Sequence, residues 1–280
     1  MTVRTSLWWV FILTGLLLAG GCAKYKDHAN WSAERFYNEA KRALENEDYK
    51  TAINYFETME ARYPYGRYAE QAQLEIAYAY YKAEEKALAI EAADRFIRLH
   101  PTHPHVAYAY YLKALVYVKP EESKVARFFR IRGKETYDRD TTSAENAYNA
   151  FREVVERFPQ SPYARNAALR MNFLRNSLGN AEVGVARFYL DRGAYVAAVN
   201  RCTYVLENYQ TTPAVEDALG LMAIAYKAMG MEDLMKDSAR VLVMNFPQSQ
   251  YIAQINGTAT TKKAKRKKKK KQSEEIVVQY

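Results

Sequence analysis

The chain of 280 residues is 49% hydrophobic and carries 41 Lys and Arg against 32 Asp and Glu, a formal net charge of +9. Nine of the positive charges, Lys262, Lys263, Lys265, Arg266 and Lys267 through Lys271, lie in one late run; without them 32 basic residues face 32 acidic ones and the body is neutral. The hydrophobic content is enough to bury a substantial core, which excludes a wholly disordered chain. No aromatic residue interleaves with the lysines, which removes the base-stacking pattern of a nucleic-acid binder.

Residues 1–21 combine Arg4, an apolar run from Leu7 to Leu18 and the small residues Ala19-Gly20-Gly21 ahead of Cys22. This is the form of a secretory signal that ends at a cysteine, and the apolar run falls short of the roughly 20 residues that span a bilayer. The small residues before Cys22 resemble a bacterial lipobox. That resemblance implies lipidation of Cys22 and a lipid anchor at a membrane surface; with Ala23 in place of Asp, the expected destination is the outer membrane. Residues 22–30 are then a short linker from the lipidated cysteine.

From Trp31 onward the chain reads as helix after helix. Ser32 is placed to cap the first, and Asn46-Glu47-Asp48 to turn it into a second. Helix stops recur at Tyr63-Pro64, His100-Pro101, Phe158-Pro159 and Phe246-Pro247, with Tyr209-Gln210 as a variant lacking the proline. Proline has no N–H to give a helix and disfavours helical geometry in the residue before it. Pro64 to Pro101 and Gln210 to Pro247 each span 37 residues, close to the period of about 34 of a tetratricopeptide repeat. Pro101 to Pro159 is 58 and Pro159 to Gln210 is 51, so each of these holds a repeat plus extra chain.

Between Pro64 and Pro101 the sequence predicts helices over 68–82 and 87–100 around the break Glu84-Glu85-Lys86. Small residues on first helices and small then large residues on second helices keep register: Phe36, Ala40, Ala52 and Phe56; Ala77, Tyr80, Ala89 and Phe96; Ala114, Tyr117, Ala147 and Phe151; Ala186, Tyr189, Ala198 and Val205; Ala223, Tyr226, Ala239 and Leu242. No stretch alternates polar and apolar residues as a half-buried strand does. The predicted fold is all-α, a tetratricopeptide-repeat right-handed superhelical solenoid of about five helix pairs over 31–247. An insertion at 119–140 interrupts the third repeat; its Phe128 and Phe129, between Arg127 and Arg130, either tuck back onto the solenoid or meet a partner. After Pro159 an additional helix is expected over 163–177, stopping at Leu178-Gly179-Asn180, and Gly193 marks the turn of the fourth repeat. Past Pro247 the period is lost, and residues 248–280 are expected to form a disordered Lys-rich tail.

No Gly-rich phosphate loop, Cys pair or nucleophile with a base appears, so neither an enzyme nor a cofactor is expected. His100, His103 and His105 lie within six residues but share that stretch with two prolines, and the reading is a stiff inter-repeat turn rather than a zinc site. Cys202 reads as a small buried hydrophobe. Tyrosine is the informative residue, at 24 copies. With the alanines packed inward, first-helix geometry places Tyr37, Lys41, Tyr78, Tyr81, Tyr108 and Tyr111 on one concave surface. These rings either fill space between repeats or grip a peptide; Tyr suits the second role because it presents a rigid ring with a polar tip at low entropy cost.

The runs RYPYGRYAEQAQLEIAYAYYK (62–82), DRFIRLHPTHP (94–104), RFF with YDRD within 127–140, and RGAYVAAVNR (192–201) closely resemble the BamD family of outer-membrane protein assembly factors. The resemblance covers about residues 31–247 and the lipobox, and leaves out the Lys-rich tail. It implies a lipoprotein on the periplasmic face of the outer membrane, working with a BamA-like barrel subunit, other assembly-machine lipoproteins and unfolded outer-membrane proteins, without nucleic acid. It further implies recognition of aromatic targeting signals by the first repeats and docking of the barrel subunit through Arg201. Other tetratricopeptide lipoproteins, such as a secretin pilotin or a cell-wall coordinator, are the alternative.

Overall fold

The computed structural model describes residues 28, 30–118 and 141–257. Lipidation at Cys22, the 119–140 insertion with its Phe pair, and the Lys run lie outside them. The described chain is helical: α1 (Ala33–Glu45), α2 (Tyr49–Arg62), α3 (Arg67–Lys82), α4 (Lys86–Leu99), α5 (Val106–Tyr117), α6 (Thr141–Arg157), α7 (Ala164–Asp191), α8 (Tyr195–Asn208), α9 (Ala214–Ala228), α10 (Glu232–Asn245) and α11 (Gln250–Ile255). It divides into two compact units, one ending at Ala72 and one beginning at Gln73.

In the first unit α1 and α2 form a hairpin. Ser32 caps α1 by accepting from the Arg35 N–H at 3.3 Å, and Asp48 caps α2 by accepting from the Thr51 N–H at 3.1 Å. Hydrogen bonds from Thr51, first from its side chain and then from its N–H, hold the Asp48 carboxyl below its usual range. Ala40 and Ala52 are fully buried where the helices cross, and Phe36, Phe56 and Met59 fill the space beside them.

The second unit repeats that arrangement. Ala77, Ala89, Ala114, Ala147, Ala186, Ala198 and Ala223 all have no exposed surface, while Phe96, Phe151, Val205 and Leu242 supply the bulk. An alanine at the crossing lets two backbones approach, and the large side chain one or two turns on closes the gap. Cys202 belongs to this core, and burial pushes its thiol up to about 12, so it stays an unreactive thiol.

The helix stops share one geometry. The N–H groups of Tyr63, His100, Phe158, Tyr209 and Phe246 each donate to the carbonyl four residues back at 2.7–3.0 Å. Tyr63, His100 and Phe246 then leave the helix at φ −128°, −130° and −135°. Tyr209, with no proline behind it, does the same at −126°, so the aromatic stop does not depend on the proline. The turns inside the hairpins also recur: Glu47, Glu84, Gly193 and Gly230 take positive φ of 60°, 63°, 75° and 74°, the left-handed conformation that closes a helix C-terminus.

Two elements differ from expectation. The helix expected over 163–177 does not stop at Gly179 but continues as the 28-residue α7 through Asp191. Gly179 is buried inside it, and a Cβ there would lie 3.1 Å from both the Ala214 Cβ and the Thr212 Oγ1; the glycine serves close packing rather than termination. The chain past Pro247 is not tail at once. It forms α11, whose Tyr251 and Ile255 are buried on the last hairpin.

Tyr251 lies flat over Gly220 of α9, where an added Cβ would come within 2.1 Å of its ring carbon. Its hydroxyl donates to Asp217 Oδ1 at 2.6 Å and accepts from Arg187 Nη2 at 3.0 Å. Gly220→Ala is therefore expected to lift this ring and lower stability by about 1–3 kcal/mol, read as a fall in Tm by circular dichroism. An unchanged Tm would mean that α11 does not contribute to the cooperative unit.

Candidate binding surface

Four of the six residues expected on a peptide-binding face lie in the second unit. Tyr78 and Tyr81 come from α3, their ring centroids 6.4 Å apart. Tyr108 and Tyr111 come from α5, spaced so that both fall on one side of that helix. Tyr78, Tyr81 and Tyr108 pack against a small cluster of Ala77, Ala93 and Leu112. All four rings are partly buried. Burial raises the Tyr108 phenol above its ordinary value, helped by the neighbouring Tyr78, Glu75, Tyr163 and Tyr81. It remains a neutral hydrogen-bond donor at any pH below about 10.

Three residues complete this surface that the sequence reading did not include. Tyr163 stacks on Tyr111 at 5.2 Å and 25° and lies 5.4 Å from Tyr108. Asn166 accepts through Oδ1 from the Tyr111 hydroxyl at 2.6 Å and from Arg170 Nε at 2.7 Å. The signal for Tyr163 was present. It stands four residues past the Pro159 stop, as Tyr68 stands four past Pro64 and Tyr251 four past Pro247. Each ring meets the first helix of the preceding pair: Tyr68 on Tyr37, Tyr163 on Tyr108 and Tyr111, and Tyr251 on Gly220.

Tyr37 and Lys41 belong to the first unit. The Tyr37 ring lies 5.8 Å from Phe56 and 5.6 Å from Tyr68, and Lys41 is partly buried one turn further along α1. Within its own unit Tyr37 thus has a packing role.

Arg201, on α8, donates through Nη1 to Glu182 Oε2 of α7 at 3.0 Å, with its side chain 45% exposed. The histidine turn is held by internal contacts: His100 Nε2 meets Gln73 Oε1 at 2.8 Å and His103 Nδ1 accepts from the His105 N–H at 3.1 Å. Among the described residues, no group of three His, Cys, Asp or Glu side chains is arranged to hold a metal.

A family model described as an outer membrane lipoprotein, YfiO, matches residues 29–242. The outer membrane protein assembly factor BamD of Neisseria meningitidis serogroup B is 43% identical over 80% of this chain and 83% of its own length. The chain belongs to the BamD family. Its counterpart in Vibrio cholerae is 34% identical over 83% of this chain and 97% of its own. Among solved structures, PilW, a type IV pilus biogenesis factor, aligns over 81% of this chain at 17% identity and a TM-score of 0.36. BamD membership makes the chain an outer-membrane protein assembly factor, and among its described residues no helix is long and apolar enough to cross a membrane.

Proposed function

We propose that this BamD-family chain is a non-enzymatic scaffold of the β-barrel assembly machine, held by lipid on Cys22 at the periplasmic face of the outer membrane. It binds aromatic-rich segments of unfolded barrel proteins and docks the periplasmic part of a BamA-like barrel subunit. The observation that carries the client reading is the run of partly buried rings Tyr78, Tyr81, Tyr108, Tyr111 and Tyr163. Rings fixed by their neighbours lose little entropy when a partner side chain stacks on them, and their hydroxyls add hydrogen bonds that tolerate many sequences. Tyr37 and Lys41 are the first unit's contribution to the same task.

Arg201 is the proposed docking residue. Its half-exposed guanidinium is oriented by Glu182, and the remaining N–H groups suit a carboxylate of the barrel subunit.

Replacing Tyr78 and Tyr108 together by Ala is expected to weaken binding of a labelled C-terminal peptide of an outer-membrane barrel protein by roughly tenfold or more, with far-UV circular dichroism unchanged. Undiminished fluorescence-anisotropy titrations would remove this surface from client recognition. For Arg201→Glu, which sets a carboxylate against Glu182, we expect co-purification of the barrel subunit from solubilised outer membrane to fall about tenfold. Wild-type recovery of that subunit would place docking elsewhere.

A further inference from the structure

The first half of α7 carries more than the tyrosine surface needs. Between Glu156 and Glu182 the sequence contains no acidic residue but includes Arg165 and Arg170. Among the described residues neither has a carboxylate partner: Arg170 uses Nε on Asn166 and sits with its Cζ 5.8 Å from the Phe151 ring, leaving both Nη groups unbonded. Beside these arginines the helix exposes two large apolar side chains, Leu169 at 62% and Phe173 at 70%. Arg165, Leu169 and Phe173 are spaced by four and form one stripe; Asn166 and Arg170 form the stripe beside it.

An exposed Phe and Leu on a helix whose opposite side is packed in the core form an apolar ridge, and the cations flanking it specify what fits. We infer that this ridge binds an extended peptide segment in which carboxylates alternate with apolar side chains: the apolar groups lie on Leu169 and Phe173 and the carboxylates meet Arg165 and Arg170. The inference rests on the client-binding reading and extends it, because Asn166 joins Arg170 directly to the Tyr111 and Tyr163 stack. The tyrosines then accept aromatic side chains generally, while the two arginines select for acidic neighbours.

The test uses the full chain, a labelled short peptide alternating Phe and Glu, and its counterpart with Gln for each Glu. Wild type is expected to bind the Glu peptide about tenfold more tightly at low salt, with the preference fading as salt screens the charges. Arg165→Gln with Arg170→Gln retains a donor at each position; it is expected to abolish that preference, so that the two peptides bind the variant with equal affinity. Equal affinity of wild type for the two peptides, or a preference that survives the double variant, overturns the inference. If the preference is lost with the arginine pair but binding ignores Tyr78→Ala with Tyr108→Ala, the arginine assignment stands and the tyrosine reading falls. Failure of both peptides to bind overturns both. Two further results also count against the inference: loss of co-sedimentation with phosphatidylglycerol vesicles instead of peptide binding, which makes the ridge a membrane contact, or the peptide preference appearing only after deletion of 119–140, which makes it a seat for the chain's own insertion.

Discussion

At three of the five helix stops, a tyrosine placed four residues beyond ties a helix pair to the one before it. The stop leaves the aromatic residue before it with one backbone bond to the last turn and then sends the chain across to the next first helix. Four residues on, the ring lands on the preceding first helix. It meets Tyr37 in the first unit, the Tyr108 and Tyr111 pair in the middle of the second, and the bare backbone of Gly220 at its end. The same device thus produces two outcomes. Where the receiving helix presents more tyrosines, it builds a ring surface; where it presents glycine, it seals the array.

The end of the array is sealed by α11. A repeat array needs a cap, because each helix pair buries one face only through its neighbour. Here α11 supplies it through Tyr251, which satisfies its own hydroxyl on Asp217 and Arg187 and so buries a polar tip without loss. At the interrupted third repeat continuity comes from α7, whose first half packs with α5 and α6 and whose second half opens the next hairpin. Gly179 sits at the join, where a side chain would strike Ala214 and Thr212.

The hairpins and their alanine crossings were legible in the sequence because they rest on local rules. Proline-marked stops, small residues in register and a period of 37 residues are all contained within one repeat. What was not legible depends on contacts distant along the chain. Gly179 looks like a helix stop until Ala214 is known to lie against it, and Gln250–Ile255 look too polar and short to fold until Gly220 provides a place for Tyr251. The candidate surface divides in the same way. Tyr78, Tyr81, Tyr108 and Tyr111 follow from helical spacing, whereas Tyr163, Asn166 and Arg170 join them only because the chain beyond the insertion returns to α5. Arg201 was singled out by resemblance, and its pairing with Glu182 across two helices had no signal in either segment alone.

The central claim is that the partly buried tyrosines of the second unit receive unfolded barrel proteins. The most direct measurement places a photoreactive phenylalanine analogue at position 81, which preserves a ring there, and irradiates cells during export of a β-barrel protein. The account predicts a crosslink to the barrel precursor that appears before the folded barrel and decays as assembly completes. A position 81 that captures no precursor, or captures only the folded barrel, would contradict it.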